Sequence, residues 1–225
     1  IDSSVKANPT YGQSIVSYSG NSTAGATIGH GLSSAPEMMV VKNRTSSGSW
    51  VTYHTSLGNN KGISMHGDGT PVTTAVYWNN TSPTSSVFSV GYDGAGHELN
   101  ESGKDYIAYL WHSVTGYSKF GSYSGSGSAG NKQTLGFAPA FVMIKQTNGS
   151  DNWYIFDNTR NPLNPVDKAS RANSSAVEDD LSTNWSLTFL SDGFEFLGTG
   201  LNASGSDYIY MAFADKREYA YWLDQ

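Results

Sequence analysis

Polar and apolar positions along this chain fall into short runs separated by turns rich in glycine, serine, asparagine and proline. Residues 14–19 alternate with period two, the pattern of a strand with one buried face. Residues 37–42 contain an unbroken apolar stretch, which predicts a central strand covered on both faces. Residues 50–55 alternate again, and strands are expected over 87–91 and 106–112. The one helix expected is a turn or two near residues 174–181. Its acidic residues Glu178, Asp179 and Asp180 sit too late in it to favour the N-terminal dipole.

The pattern occurs twice. Tyr18-Ser19-Gly20-Asn21-Ser22-Thr23-Ala24-Gly25 returns as Tyr123-Ser124-Gly125-Ser126-Gly127-Ser128-Ala129-Gly130, and Ala35-Pro36 leading into Lys42 returns as Ala138-Pro139 leading into Lys145. Each lysine is followed eight residues later by a tryptophan, Trp50 or Trp153. Asn100-Glu101-Ser102-Gly103 before Tyr106 returns as Asn202-Ala203-Ser204-Gly205 before Tyr208. Blocks kept in one order at a nearly constant offset indicate an internal repeat. The expected fold is all-β: two tandem antiparallel β-sandwich repeats, jelly-roll or immunoglobulin-like, of six or seven strands each. The expected boundaries are an N-terminal extension 1–10, a first repeat 11–116, a second repeat 117–215 and a C-terminal extension 216–225. The connector over 113–118 is short, so the repeats are expected to be closely docked.

Composition narrows the functional classes. Among 225 residues there are 13 lysines and arginines against 19 aspartates and glutamates, a net charge of −6. Residues 1–116 carry 5 basic and 7 acidic groups and residues 117–225 carry 8 and 12, so neither half presents the basic face of a nucleic-acid binder. No apolar run reaches the roughly 18–20 residues of a membrane-spanning helix. Residues 1–10 hold no apolar signal-type core, and the chain reads as a mature form or a fragment. The absence of cysteine removes disulfides, thiol nucleophiles and cysteine–zinc sites together.

Few motifs carry chemistry. Gly125-Ser126-Gly127-Ser128-Ala129-Gly130 spells a dinucleotide fingerprint, but that motif works only between a strand and a helix; here a strand follows, and a glycine-rich hairpin is expected. All five histidines, His30, His54, His66, His97 and His112, lie in the first repeat at spacings that match no local metal-ligand motif. No G-x-S-x-G is present. Two facing carboxylates would be needed for glycoside hydrolysis, and Glu98 with Glu101, or Asp179 with Asp180, are arbitrary choices. No catalytic residue, metal ligand or cofactor is assigned.

The repeat separates scaffold from function. Residues kept in both copies, namely Trp50/Trp153, Tyr18/Tyr123, Lys42/Lys145 and Tyr106/Tyr208, are expected to serve the shared fold. Residues that differ are candidates for contact with a ligand or partner. These are His30 and Leu32 in Gly29-His30-Gly31-Leu32, Tyr53 and His54 (against Phe156 and Asp157), Tyr92 and His97 in the loop 91–98, and Arg160 and Arg171 in the excursion 158–171.

The strings from Tyr18 to Gly25, Gly29 to Leu32, Val40 to Arg44, Trp50 to His54, Asn100 to Gly103 and Gly116 to Gly125 resemble a tandem-repeat β-domain family of virion appendage proteins from tailed phages, marine phages especially. The resemblance covers residues 11–112 and 117–214. It implies a non-enzymatic tail-fibre or surface-appendage component of the virion, homo-oligomeric with a trimer favoured. Its partners would be other virion subunits and a host-surface glycan or protein, with no nucleic acid and no membrane insertion. The alternatives are a capsid or tail decoration protein, and then a glycan-degrading tail enzyme. Exposed tyrosine and tryptophan would stack on sugar faces or fill protein pockets.

Overall fold

The computed structural model describes residues 1–94, 99–181 and 183–216. It divides into two compact units, Ile1–Ser113 and Val114–Gln225. The first unit runs through β1 (Ser3–Asn8), β2 (Gln13–Ser19), β3 (Ala26–Gly29), β4 (Met38–Asn43), β5 (Trp50–His54), β6 (Lys61–Ser64), β7 (Val72–Thr73), the short helix α1 (Ala75–Trp78), β8 (Val87–Val90) and β9 (Asp105–Trp111). The second holds β10 (Ser118–Ser124), β11 (Lys132–Thr134), β12 (Pro139–Gln146), β13 (Trp153–Asp157), β14 (Lys168–Arg171), β15 (Asp179–Asp180), β16 (Leu187–Leu190), β17 (Gly193–Phe196) and β18 (Asp207–Ala214).

Each unit is an antiparallel sandwich. In the first, a large sheet ordered β1-β2-β9-β4-β5-β6-β7 faces the small sheet β3-β8; in the second, β10-β18-β12-β13-β14-β15 faces β11-β17-β16. Alternate residues explain the layering. Val16 and Tyr18 of β2, Met39 and Val41 of β4, Val51 and Tyr53 of β5, and Tyr106, Ala108 and Leu110 of β9 meet Ile28, Phe88 and Val90 of the small sheet. In the second unit Val142, Ile144, Tyr154, Phe156, Tyr208, Tyr210 and Ala212 meet Leu187, Phe194 and Phe196. Burying each of these large side chains contributes on the order of 1.5–3 kcal/mol. The strands expected near 14–19, 37–42, 50–55, 87–91 and 106–112 are all present, and β4 is buried on both faces as its unbroken apolar run requires.

Several expectations are corrected. Residues 3–8, expected in an extension, form β1 and pair along their whole length with β2. No helix forms near 174–181, where β15 instead pairs with β14. The α-helix found among the described residues is α1, which begins where the Thr74 hydroxyl accepts the Val76 N–H and ends at Asn79 in the left-handed region. Residues 125–130 are not a hairpin: they carry the chain from the large sheet at β10 to the small sheet at β11.

The strings that repeat in sequence perform the same task in both units. Tyr18 donates its hydroxyl proton to the Leu99 carbonyl at 2.8 Å, and Tyr123 does so to Leu201 at 2.7 Å. Tyr106 stacks on Tyr18 at 5.1 Å, and Tyr208 on Tyr123 at 4.8 Å. The Tyr106 and Tyr208 hydroxyls accept the Glu101 and Ala203 N–H groups. Between them sits a buried asparagine. The Asn100 amide accepts the Asn21 N–H at 2.9 Å and donates to the Thr23 carbonyl at 2.8 Å. Asn202 accepts the Ser126 N–H at 2.8 Å and donates to the Ser128 carbonyl at 2.6 Å. A Cβ at Gly20 would overlap the Glu101 carbonyl, and one at Gly125 the Ala203 carbonyl, so the chain crosses this latch only as glycine.

Asn100→Ala removes both bonds of a fully buried amide and leaves their partners unsatisfied. It should destabilise the first unit by about 2–4 kcal/mol, read as a lowered denaturant midpoint, and Asn202→Ala should do the same to the second. His30 supplies a pH dependence. It is fully buried, its Nε2–H faces the Thr84 carbonyl at 3.1 Å, and its Nδ1 accepts the Leu32 N–H at 3.1 Å, which fixes the neutral form. Burial lowers its pKa below 6.5, the Thr84 carbonyl opposes this, and His112 adds a like-charge push downward. Below about pH 6.5 the unfolded chain takes up a proton that folded His30 refuses. The contribution is therefore complete above that pH and lost as pH falls. Denaturation between pH 7 and 5 should show a steeper loss of stability for the natural chain than for His30→Gln.

Candidate functional site

Four of the residues expected to make contacts lie in the interior. His30 and His54 are fully buried, and Leu32 and Tyr53 nearly so. Tyr53 packs edge-on against Trp78 at 5.6 Å, and the His54 Nδ1 accepts the Ser56 N–H, capping a short 3-10 turn. Leu32 and Tyr53 belong to the core of the first sandwich, whereas His54 alternates with Tyr53 and is buried on the outward side of the sheet, opposite Met38. Tyr92 is half-buried, while His97 lies outside the described residues. Of the loop 91–98 only residues 91–94 are described.

Arg160 and Arg171 are half-buried and already engaged. The Arg160 guanidinium donates to Asp157 at 2.6 Å, to Ser170 at 2.6 Å, to Glu178 at 2.8 Å and to the Ile155 carbonyl at 2.9 Å. Arg171 pairs with Asp179 at 2.6 Å, and Lys168 with Asp180 at 2.9 Å. Burial alone would raise the Asp157 pKa, but the amide and guanidinium of Arg160, with the Thr159 amide, outweigh it and hold the carboxyl below its usual range. This network ties β13, β14 and β15 together. It also occupies Asp179 and Asp180, which therefore do not face each other across an open groove. The excursion 158–171 does expose Leu163, at 80%, beside a 280 Å³ cleft lined by Asn158, Asn161, Asn164 and Phe189.

The feature that sequence reasoning missed lies on the face of the first large sheet turned away from its core. On β9, Tyr106, Ala108 and Leu110 point into the sandwich, so Tyr109 and Trp111 point out of it. Trp50 of β5 points the same way and is 38% exposed. The three rings are nearly parallel: Trp50 to Tyr109 is 6.5 Å between centroids at 20°, and Tyr109 to Trp111 is 6.3 Å at 16°. Next to them on β2, Ile15 stands opposite Tyr109 and Gln13 opposite Trp111; on β1, Lys6 stands opposite Ile15 and Asn8 opposite Gln13. Tyr109, Trp111, Ile15, Gln13, Lys6 and Asn8 line an open groove of 480 Å³.

That groove combines a flat apolar floor with amide and ammonium groups at its margin, and its volume falls within the usual range for small-ligand sites. None of its lining residues is a carboxylate. Trp50 was expected to be scaffold because Trp153 matches it. The two hold the same register, opposite Lys42 and Lys145, yet Trp153 is 2% exposed. At the positions of Ile15, Tyr109 and Trp111 the second unit has Phe120, Met211 and Phe213, and Phe120 packs edge-on against Phe213 at 6.0 Å. The parity of β9 was the signal that would have found the strip: tyrosines 106 and 109 stand three apart, so they must face opposite ways.

No curated protein and no solved structure matches the chain. A family model described as a domain of unknown function, DUF7483, matches residues 1–217. One family model thus spans both sandwich units, and the chain is a member of the DUF7483 family.

Proposed function

We propose that this chain is a non-enzymatic glycan-binding module of a virion surface appendage, with the groove of the first unit as its binding site. The observation that carries the reading is the run of Trp50, Tyr109 and Trp111 on the outward side of the first large sheet, the last two lining the groove with Gln13, Asn8 and Lys6 at the β1–β2 edge. A sugar ring has an apolar C–H face and a polar rim. Indole and phenol rings bury the face at little entropic cost, since each freezes only two rotors. The side-chain amides of Gln13 and Asn8 both donate and accept, which suits hydroxyl groups at the rim. A flat strip held by sheet backbone is preorganised, so little ordering opposes binding.

The groove lining contains no acidic side chain, so it lacks the two facing carboxylates that glycoside hydrolysis uses. This favours binding over cleavage. The placement on a phage particle rests on the resemblance of the repeated strings to virion appendage proteins, where such a module would meet a host-surface glycan and other virion subunits.

The test is a glycan array followed by titration calorimetry on the best glycan. Trp111→Ala and Tyr109→Ala should each weaken binding about tenfold, some 1.4 kcal/mol, measured at a temperature where circular dichroism shows each variant folded. Leu163→Ser, beside the cleft of the second unit, should bind as the natural chain does. Absence of any binding glycan, or full affinity in Trp111→Ala, would contradict the reading.

A further inference from the structure

Resting on that glycan reading, we infer that the groove selects anionic saccharides, those bearing a carboxylate such as a uronic acid, over neutral ones. The chain as a whole is acidic, at −6, and carboxylates outnumber cations in both units. The outward face of the first large sheet departs from this. Its central rows read Asn8, Gln13, Trp111, Met38 and His54; then Lys6, Ile15, Tyr109, Val40 and Thr52; then Ser4, Ser17, Ile107, Lys42 and Trp50, with Met38, Val40, Thr52 and His54 buried. They hold two lysines and no carboxylate. The first acid along β9 is Asp105, one row further out, where its carboxylate accepts the Ser19 hydroxyl at 2.6 Å and shares a pocket with Asp2 and Arg44. Near the other end Glu37 is occupied in accepting the Ser113 N–H.

The two lysines differ in what they can offer. Lys42 donates its ammonium to the Asn43 carbonyl at 3.0 Å. Lys6 is exposed on the edge strand β1, lines the groove itself, and makes no ion pair or side-chain hydrogen bond with any described residue. An exposed cation at the margin of an aromatic floor in an otherwise acidic protein attracts an anion and is indifferent to a neutral sugar. A saccharide stacked on Tyr109 or Trp111 with its carboxylate towards β1 would meet Lys6 and the Gln13 and Asn8 amides together. Such exposed charge pairs act over about 10 Å at moderate salt and contribute modestly, so the effect is one of preference and not of gross affinity.

The experiment pairs each uronic-acid oligosaccharide on an array with its methyl ester, which keeps the ring and removes the charge. The natural chain should prefer the acids by about two- to fivefold, and the preference should shrink as salt is raised. Lys6→Gln should bind acid and ester alike, at the level of the natural chain on the esters. Trp111→Ala should weaken both about tenfold. Equal binding of acids and esters by the natural chain, or a preference that survives in Lys6→Gln, would overturn this inference and leave the glycan reading standing. Binding to neither form, nor to any neutral glycan on the array, would overturn both.

Discussion

A buried side-chain amide with donor and acceptor both taken is costly to assemble and costly to break, because each partner it leaves behind is itself shielded from water. Asn100 and Asn202 are such groups, and the rest of each unit is arranged about them. Each pins the loop after the first long strand to the loop before the last one of its large sheet, and the stacked tyrosine pairs Tyr18–Tyr106 and Tyr123–Tyr208 close over it. With these two strands fixed side by side, their register is fixed. Register in a sheet decides which residues face the core and which face away, since a slip by one would exchange the faces. The outward position of Tyr109 and Trp111 is thus a consequence of where Asn100 and Tyr106 are held.

That constraint explains how two units with one wiring diverge. Six strands run in the same order in both large sheets, and the latch repeats bond for bond. The inward sets are aromatic and aliphatic in both. On the outward faces the same register positions carry Ile15, Tyr109 and Trp111 in one unit and Phe120, Met211 and Phe213 in the other. The first unit also has β1, which extends its sheet past β2 and supplies one wall of the groove; β10 has no such neighbour among the described residues. Polar-tipped rings beside an added polar strand suit a solvated ligand. Purely apolar side chains do not.

The long strands of the two antiparallel sandwiches were legible in the sequence because period-two patterns are local signals. Short elements were not. β3, β6, β11 and β14 have only three or four residues and β7 and β15 only two, and polar runs such as Lys132–Thr134 gain their strand character from their neighbours rather than their own pattern. The helix α1 escaped for the same reason, although Thr74 and Asn79 mark its ends. At the site, comparing repeats identified scaffold well for Tyr18, Tyr106 and their counterparts, but it failed for Trp50, whose matching register carries a different burial. It failed in the opposite sense for His30, Leu32, Tyr53 and His54, which differ between the copies and yet are buried. Arg160 and Arg171 read as available cations in sequence, since the carboxylates that engage them lie 3, 8 and 18 residues away and meet them through β-sheet pairing or a tight turn.

The most direct measurement is the set of tryptophan indole N–H signals in a two-dimensional NMR titration with a uronic-acid oligosaccharide. The account requires the Trp50 and Trp111 signals to move together and saturably, while those of the buried Trp78 and Trp153 stay in place. Movement of the Trp185 signal alone, or a saturable response that leaves Trp50 and Trp111 unchanged, would show that the aromatic strip of the first unit is not where the ligand sits.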